Sequence, residues 1–293
     1  MHHVHPGNRK GLTIALIITA SIMLLEFIGG LITNSLALLS DSAHMLSDVG
    51  ALALSLIALW FAAKTPSASK TYGFYRFEIL AALFNGVTLF VMAGFILYEA
   101  YERFQEPPEV AGGLMLAVAA IGLAANMLSA WMLMRNSDTR DNINVRSAYL
   151  HILGDALGSV GAIIAGLAML LTGWYVLDPI ISVLVALLIL RGAWLVISQA
   201  IHILMEGTPV TIDIQELAAT LKSIDGVIDV HDLHVWTITS GMDTLSCHLL
   251  VTDSSDCQQI LQEAILRVED RFRIQHTTIQ VEKSQLQHAH LTV

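Results

Sequence analysis

Charge is scarce in this chain. Only 14% of its 293 residues are Asp, Glu, Lys or Arg, whereas 55% are hydrophobic. Soluble domains carry about 25% charged residues, so the shortage excludes an ordinary soluble enzyme, and the apolar excess excludes a disordered chain. Basic residues are the scarcer sign, 15 against 25 acidic, and the net charge of −10 argues against nucleic acid as a partner. Cysteine occurs twice, at Cys247 and Cys257, which leaves no disulfide framework and no Cys-based zinc finger. No H-E-x-x-H occurs, so the zinc-and-general-base pattern of a membrane metalloprotease is missing, and no P-loop occurs to bind ATP. Histidine is plentiful by contrast: twelve residues in a membrane-like composition point to metal ions or protons.

The sparse charges are distributed unevenly. Residues 1–208 hold 23 of them, about one in nine, and residues 209–293 hold 17, one in five. The break falls at Glu206-Gly207-Thr208-Pro209, a helix-stopping sequence. Six apolar stretches precede it: Leu12–Ile32, Leu36–Ala62, Ile79–Tyr98, Leu114–Met134, Asn144–Leu171 and Ile180–Leu204. Each approaches or exceeds the roughly 20 helical residues that cross about 30 Å of hydrocarbon. The first is too long for a cleaved signal peptide and runs through Gly29-Gly30 into the second. Arg9, Lys10, Lys64, Lys70, Arg76, Arg135, Arg140 and Arg146 fall on one side of such a bundle and Arg103 on the other. Positive residues mark the cytoplasmic side, so both termini are expected in the cytoplasm. Arg191, within the sixth stretch, is expected to snorkel to the cytoplasmic surface.

Residues 209–293 read as an α-β-β-α-β domain. Asp213–Ile224 has helical periodicity, Val227–Ile238 and Leu245–Thr252 are β-branched runs flanking the turn signal Ser240-Gly241, Ser255–Phe272 is a second helix with Ser254 or Ser255 as N-cap, and His276–Glu282 is a third strand. Such a domain has a thin core that a second copy would help to cover.

Two of the membrane stretches contain ionisable residues at the same spacing: His44 and Asp48 in the second, His151 and Asp155 in the fifth. An i, i+4 spacing stacks imidazole and carboxylate on one helix face. Two such faces offer two nitrogens and two oxygens, a tetrahedral set suited to Zn²⁺. Charges at mid-bilayer cost at least about 2.5–3.5 kcal/mol and are functional by default. A proton relay without metal is the rival for the same four residues. Asp41, one turn away, either guides ions and accepts protons or bonds a neighbouring helix. Glu26, Asn34 and Asn126 are expected to form interhelical hydrogen bonds, and Gly154, Gly158 and Gly161 to allow close packing.

These residues lie in motifs that resemble the cation diffusion facilitators. The resemblance spans nearly the whole chain and rests on residues 35–48 (SLALLSDSAHMLSD), 72–78 (YGFYRFE), 151–155 (HILGD) and 230–236 (VHDLHVW). It implies a homodimeric zinc/proton antiporter in the cytoplasmic (inner) membrane of a bacterium, working by alternating access. The implied fold is a membrane α-helical bundle of six transmembrane helices (residues 12–208) after a cytosolic tail (1–11). A cytosolic ferredoxin-like, metallochaperone-like domain (209–293) follows, for regulation and dimerisation. The family's transport site maps onto His44, Asp48, His151 and Asp155. His44 resembles the more zinc-selective branch, since some members have Asp there and accept Cd²⁺. Another divalent metal (Cd, Co, Fe or Mn) as cargo, or a membrane metal sensor that does not transport, are the alternatives. The sensor would need a further module for which 293 residues leave no room. The loop Lys64–Arg76 has no His, Asp or Glu, so the loop site of some members is not carried over. Arg76 and Glu206 match charged pairs that hold the cytosolic domain to the bundle and link the dimer.

The strands of the C-terminal domain offer a second metal site. Residues two apart share a face. Leu245, Cys247, Leu249 and Val251 should point inward with Thr277, Ile279 and Val281, leaving His248, His276 and Glu282 on one polar face. His231 and His234, three apart, share a face only across a bulge. The resemblance favours His231, His248 and Glu282 as ligands, with His276 a further candidate. Gln280 stands where some relatives have His. Cys257 is expected to be an ordinary helix residue. His2, His3, His5, His288 and His290 near the termini either capture metal loosely or are simply exposed.

Overall fold

The computed structural model of the chain describes residues 6–62, 67–136 and 143–283, with side chains described over 16–46, 67–128 and 158–283 and at 49, 50, 53 and 57. The chain divides into two compact units, Met1–Trp60 with Ala81–Ile197, and Phe61–Leu80 with Ser198–Val293.

The first unit is built of long helices: α1 (Pro6–Thr33), α2 (Leu36–Ala62), α3 (Arg76–Gln105), α4 (Gly112–Asn136), α5 (Ile143–Thr172) and α6 (Leu177–Leu204), of which α3 and α6 run on into the second unit. These boundaries fall within three residues of the apolar stretches except at the start of α1, six residues before Leu12, and at the end of α3, which continues seven residues past Tyr98. Paired side chains one turn apart extend it: the Tyr98 hydroxyl donates to Glu102 (2.6 Å) and Arg103 Nε to Glu99 (3.0 Å). Among the described residues, Leu16–Thr33, Arg76–Gln105 and Leu177–Leu204 are long and apolar enough to cross a membrane, and Gly112–Leu128 and Gly158–Thr172 are shorter apolar helices. The packing is inverted relative to a soluble protein. Ala93, Ala100, Ala119 and Ala186 are fully buried, whereas Phe84 and Phe95 are 75% and 66% exposed. Small residues inside and large apolar ones outside is the arrangement of helices in lipid.

One buried carboxylate ties the first unit together. Asp178, at the start of α6, is 1% exposed. It accepts hydrogen bonds from the Ser35 hydroxyl (2.6 Å) and from the backbone N–H groups of Leu36 (2.7 Å) and Ala37 (3.1 Å). It thus caps α2 from another helix, satisfying donors that every helix N-terminus leaves over. Arg103 lies 3.6 Å from Asp178 and donates to the carbonyl (2.6 Å) and side chain (3.2 Å) of Asn34, which holds the α1–α2 turn at φ 57°. The expected interhelical role of Asn34 is therefore seen, with Arg103 as its partner.

The second unit contains α7 (Ile214–Lys222), β1 (Val227–Thr239), β2 (Met242–Val251), α8 (Cys257–Phe272) and β3 (His276–Glu282). The sheet order is β1-β2-β3, with β1 antiparallel and β3 parallel to β2. Leu217 and Leu221 of α7 and Ala264 and Val268 of α8 pack with Leu245, Leu249 and Val251 of β2. The inward residues of β2 are those that alternation indicates. The N-cap of α8 is Asp256, which accepts from Gln258 and Gln259 N–H, and not Ser254 or Ser255. Ser255 is engaged instead with Thr252, 2.5 Å between hydroxyl oxygens. β2 begins three residues before Leu245, because Gly241 at φ 75° turns the chain directly into pairing at Met242. Residues 67–80 join this unit through specific bonds: Arg76 to Glu206 (2.8 Å), Glu78 to the hydroxyls of Thr239 (2.5 Å) and Ser240 (3.1 Å), and the ring of Tyr72 edge-on to His276 at 5.8 Å.

Candidate metal sites

The first candidate lies on α2 and α5. His44 and Asp48 are in α2, and His151 and Asp155 in α5. The side chains of Asp48, His151 and Asp155 lie outside the described residues, as does Gly154; His44 is half-buried. The adjoining turn is described. Asp41 is 6% exposed, and a Cβ placed on Gly158 of α5 would stand 2.9 Å from its Oδ1. A side chain at position 158 would have to shift the Asp41 carboxylate or the helix. Gly161 has nothing within 4 Å of such a Cβ, so the expected close packing is seen at Gly158 and not at Gly161. Ala37 and Leu38 of α2 share a buried cluster with Ala162, Ala165 and Met169 of α5. Numbers rise along α2 as they fall along α5, so the two helices run antiparallel here. Glu26 of α1, 1% exposed, is accommodated in the same way by Gly122 of α4, where a Cβ would stand 2.2 Å from Oε1. Asn126 is also buried on α4.

The second candidate lies on the polar face of the sheet. His231 pairs with His248 across β1 and β2, and Glu282 pairs with Leu250 across β2 and β3. His248 Nδ1 is 2.5 Å from Glu282 Oε1, His231 Nε2 is 3.6 Å from Glu282 Oε2, and the two imidazole rings are 5.3 Å apart. One ligand atom from each of these three residues falls within 4.8 Å of the others. Glu282 is only 4% exposed, enclosed by the two imidazoles and by the Gln280 amide, which donates to it at 2.8 Å. Two imidazoles and a carboxylate are a donor set fit for Zn²⁺. His276 is not brought to this cluster. It is exposed, pairs with Thr244, and stands at the far end of β3 from Glu282, roughly 20 Å away at the rise of a strand.

Sequence reasoning missed Asp232. The β1–β2 register slips between His231 and His234, so Asp232 and Leu233 form a bulge, with Asp232 at φ 51°. Because of the slip, His234 opposes Ser246 and shares the face of His231 and His248. Asp232 Oδ1 is 2.9 Å from His234 Nε2, and Oδ2 is 3.7 Å from His248 Nε2. The hydrogen bond from His234 holds the Asp232 carboxyl below its ordinary range. The only signal in the sequence was the three-residue spacing of His231 and His234. Cys247 faces the core, away from the polar face of the sheet, and burial pushes its thiol up to about 12.

Two family models cover the chain: the cation efflux transmembrane domain over residues 12–205 and the cation efflux protein cytoplasmic domain over residues 209–284. The chain is 47% identical to a "Cadmium, cobalt and zinc/H(+)-K(+) antiporter" of Bacillus velezensis, an alignment covering 98% of this chain and 93% of that one. It is 43% identical to the "Zinc transporter ZitB" of Escherichia coli K12, covering 96% and 90%. It is 41% identical to the "Metal cation efflux system protein CzcD" of Cupriavidus metallidurans, covering 96% and 89%. With its two-unit structure and both family models accounted for, the chain belongs to the cation diffusion facilitator family of metal-transporting membrane proteins.

Proposed function

We propose that this protein is a secondary active transporter that exports Zn²⁺ from the cytoplasm in exchange for protons. It is not an enzyme: its site moves a cation rather than transforming a substrate. Six spans (residues 12–208) carry the ion, and residues 209–293 form a cytosolic regulatory domain that pairs with that of a second copy in a homodimer. The lipid bilayer is the bacterial inner membrane, with both termini cytoplasmic.

The observation that carries this reading is the register of α2 against α5 at Asp41 and Gly158. In antiparallel helices, three residues on from Asp41 is His44 and three back from Gly158 is Asp155. Seven on is Asp48 and seven back is His151. Steps of three and seven keep to one helix face, so we read the two His-x-x-x-Asp motifs as continuing the helix faces that meet at Asp41 and Gly158. That supports a four-ligand site of His44, Asp48, His151 and Asp155, suited to tetrahedral Zn²⁺. Bound metal requires neutral imidazole and ionised carboxylate, so protons compete with it for all four groups, which is a means of exchange. His231, His248 and Glu282 form the second, cytosolic metal position.

A broader cargo is the second reading, since the Bacillus velezensis relative is named for cadmium and cobalt as well as zinc. Zn²⁺, Cd²⁺ and Co²⁺ uptake into proteoliposomes under an imposed pH gradient tests both. Uptake of none of them, with protein correctly inserted, contradicts transport.

A further inference from the structure

We propose that Glu26 of α1, acting with the Ser159 hydroxyl of α5, delivers protons from the extracytoplasmic side to the four-residue transport site. The proposal rests on proton-coupled transport, the function proposed above, and names the route by which the protons arrive. Glu26 lies within the apolar helix Leu16–Thr33 and is 1% exposed. An ionisable group so placed is functional by default. Its carboxylate lies where α1, α4 and α5 meet: a Cβ built on Gly122 of α4 would stand 2.2 Å from Glu26 Oε1 and 3.6 Å from Ser159 Oγ. Ser159 is 1% exposed, and its hydroxyl has no hydrogen-bond partner among the described residues. Buried hydroxyls are rarely left so, and this one stands beside a carboxylate. Along their described side chains, α1, α4 and α5 carry no charged or titratable group besides Glu26. Asp41 of α2, which meets α5 one residue earlier at Gly158, is the other carboxylate here.

Position along α5 ties this pair to the transport site. Ser159 is four residues on from Asp155 and eight from His151, steps that keep to one helix face. With the N-terminus cytoplasmic, α5 runs outward, so Ser159 stands one turn to the extracytoplasmic side of Asp155. A serine hydroxyl both donates and accepts, as a proton relay requires. The step balances. Glu26 takes a proton from extracytoplasmic water and passes it to Ser159 Oγ, while the hydroxyl's own hydrogen moves on to the α5 ligands, where it displaces Zn²⁺. Glu26 returns to carboxylate, Ser159 is unchanged, and nothing is oxidised or reduced. The four ligands remain the groups that carry protons inward; Glu26 supplies them. Gly122 makes room for the relay, since a side chain there would meet the Glu26 carboxylate.

The test compares two rates for the full-length protein in proteoliposomes: Zn²⁺ uptake driven by a proton gradient, and exchange of Zn²⁺ for labelled Zn²⁺ at equal pH, which moves no net protons. Glu26→Gln keeps the shape of the side chain but cannot titrate. It is expected to lower gradient-driven uptake about 100-fold, to flatten its dependence on the pH of the proton-supplying side, and to leave exchange at the wild-type rate. Wild-type gradient-driven uptake in Glu26→Gln overturns the proposal. Equal loss of uptake and exchange overturns it too, since that marks Glu26 as a packing residue. Should Glu26→Gln not fold, Ser159→Ala decides: it removes one buried oxygen, and wild-type gradient-driven uptake in it overturns the proposal. A wild-type protein that exchanges Zn²⁺ but takes none up on a gradient overturns proton coupling itself, and the proposal with it.

Discussion

Gly158 and Asp41 set how near α2 and α5 stand. A Cβ at position 158 would lie 2.9 Å from the Asp41 carboxylate, so branched side chains there must push Asp41 or the helix away. Groups that support a metal site from behind cost about 10–100-fold in affinity or activity when lost. Gly158→Val is therefore expected to lower Zn²⁺ transport in vesicles by about that factor, and a wild-type rate would detach Asp41 from the site. The cysteines give a check in the other unit. Cys247 is buried with its thiol at about 12, whereas Cys257 is partly exposed. Only the thiolate reacts, so iodoacetamide near pH 8 should modify Cys257 in the folded protein and reach Cys247 only after unfolding. Equal labelling of both would contradict the packing of β2.

At the scale of elements, the capping by Asp178 holds α2, the helix proposed to carry two of the ligands, in place. Asp178→Ala leaves the Ser35 hydroxyl and two backbone N–H groups without their buried acceptor. A loss of about 3 kcal/mol is expected, lowering Tm in detergent by roughly 6–12 °C; an unchanged Tm would show the cap to be dispensable. This tie was not legible in the sequence, since Asp178 and Ser35 are 143 residues apart and nothing local in either marks the pair. The helices themselves were legible from apolar run length. The inward residues of β2 followed from alternation, because strand faces repeat every two residues. The bulge at Asp232 was not, because one inserted residue leaves no periodic trace. Alternation likewise put His276 on the right face, but the six residues that separate it from Glu282 along one strand already set the two too far apart to share an ion. The start of α8 was read two residues early, since Ser254, Ser255 and Asp256 are all good N-caps and only the packing of α8 chooses among them.

At the scale of the whole molecule, the central claim is that one set of four residues carries both zinc and protons. An unperturbed His titrates near 6.5, so a site open to a neutral cytoplasm presents lone pairs to metal and a site open to a more acidic exterior loses them. His151→Ala is expected to keep weak Zn²⁺ binding but to lose the dependence of transport on external pH. Wild-type pH dependence in that variant would send the proton through another group, with Asp41 the first to examine. Selectivity follows from the same set. His44→Asp exchanges a nitrogen for an oxygen and adds negative charge, so the Cd²⁺/Zn²⁺ transport ratio should change, and an unchanged ratio would remove His44 from the ligands. The most direct measurement is Zn²⁺ uptake by proteoliposomes with and without an imposed proton gradient, comparing the wild-type chain with Asp155→Ala. Gradient-dependent uptake by the wild type and none by a folded Asp155→Ala protein is the predicted result, and substantial uptake by Asp155→Ala would contradict it.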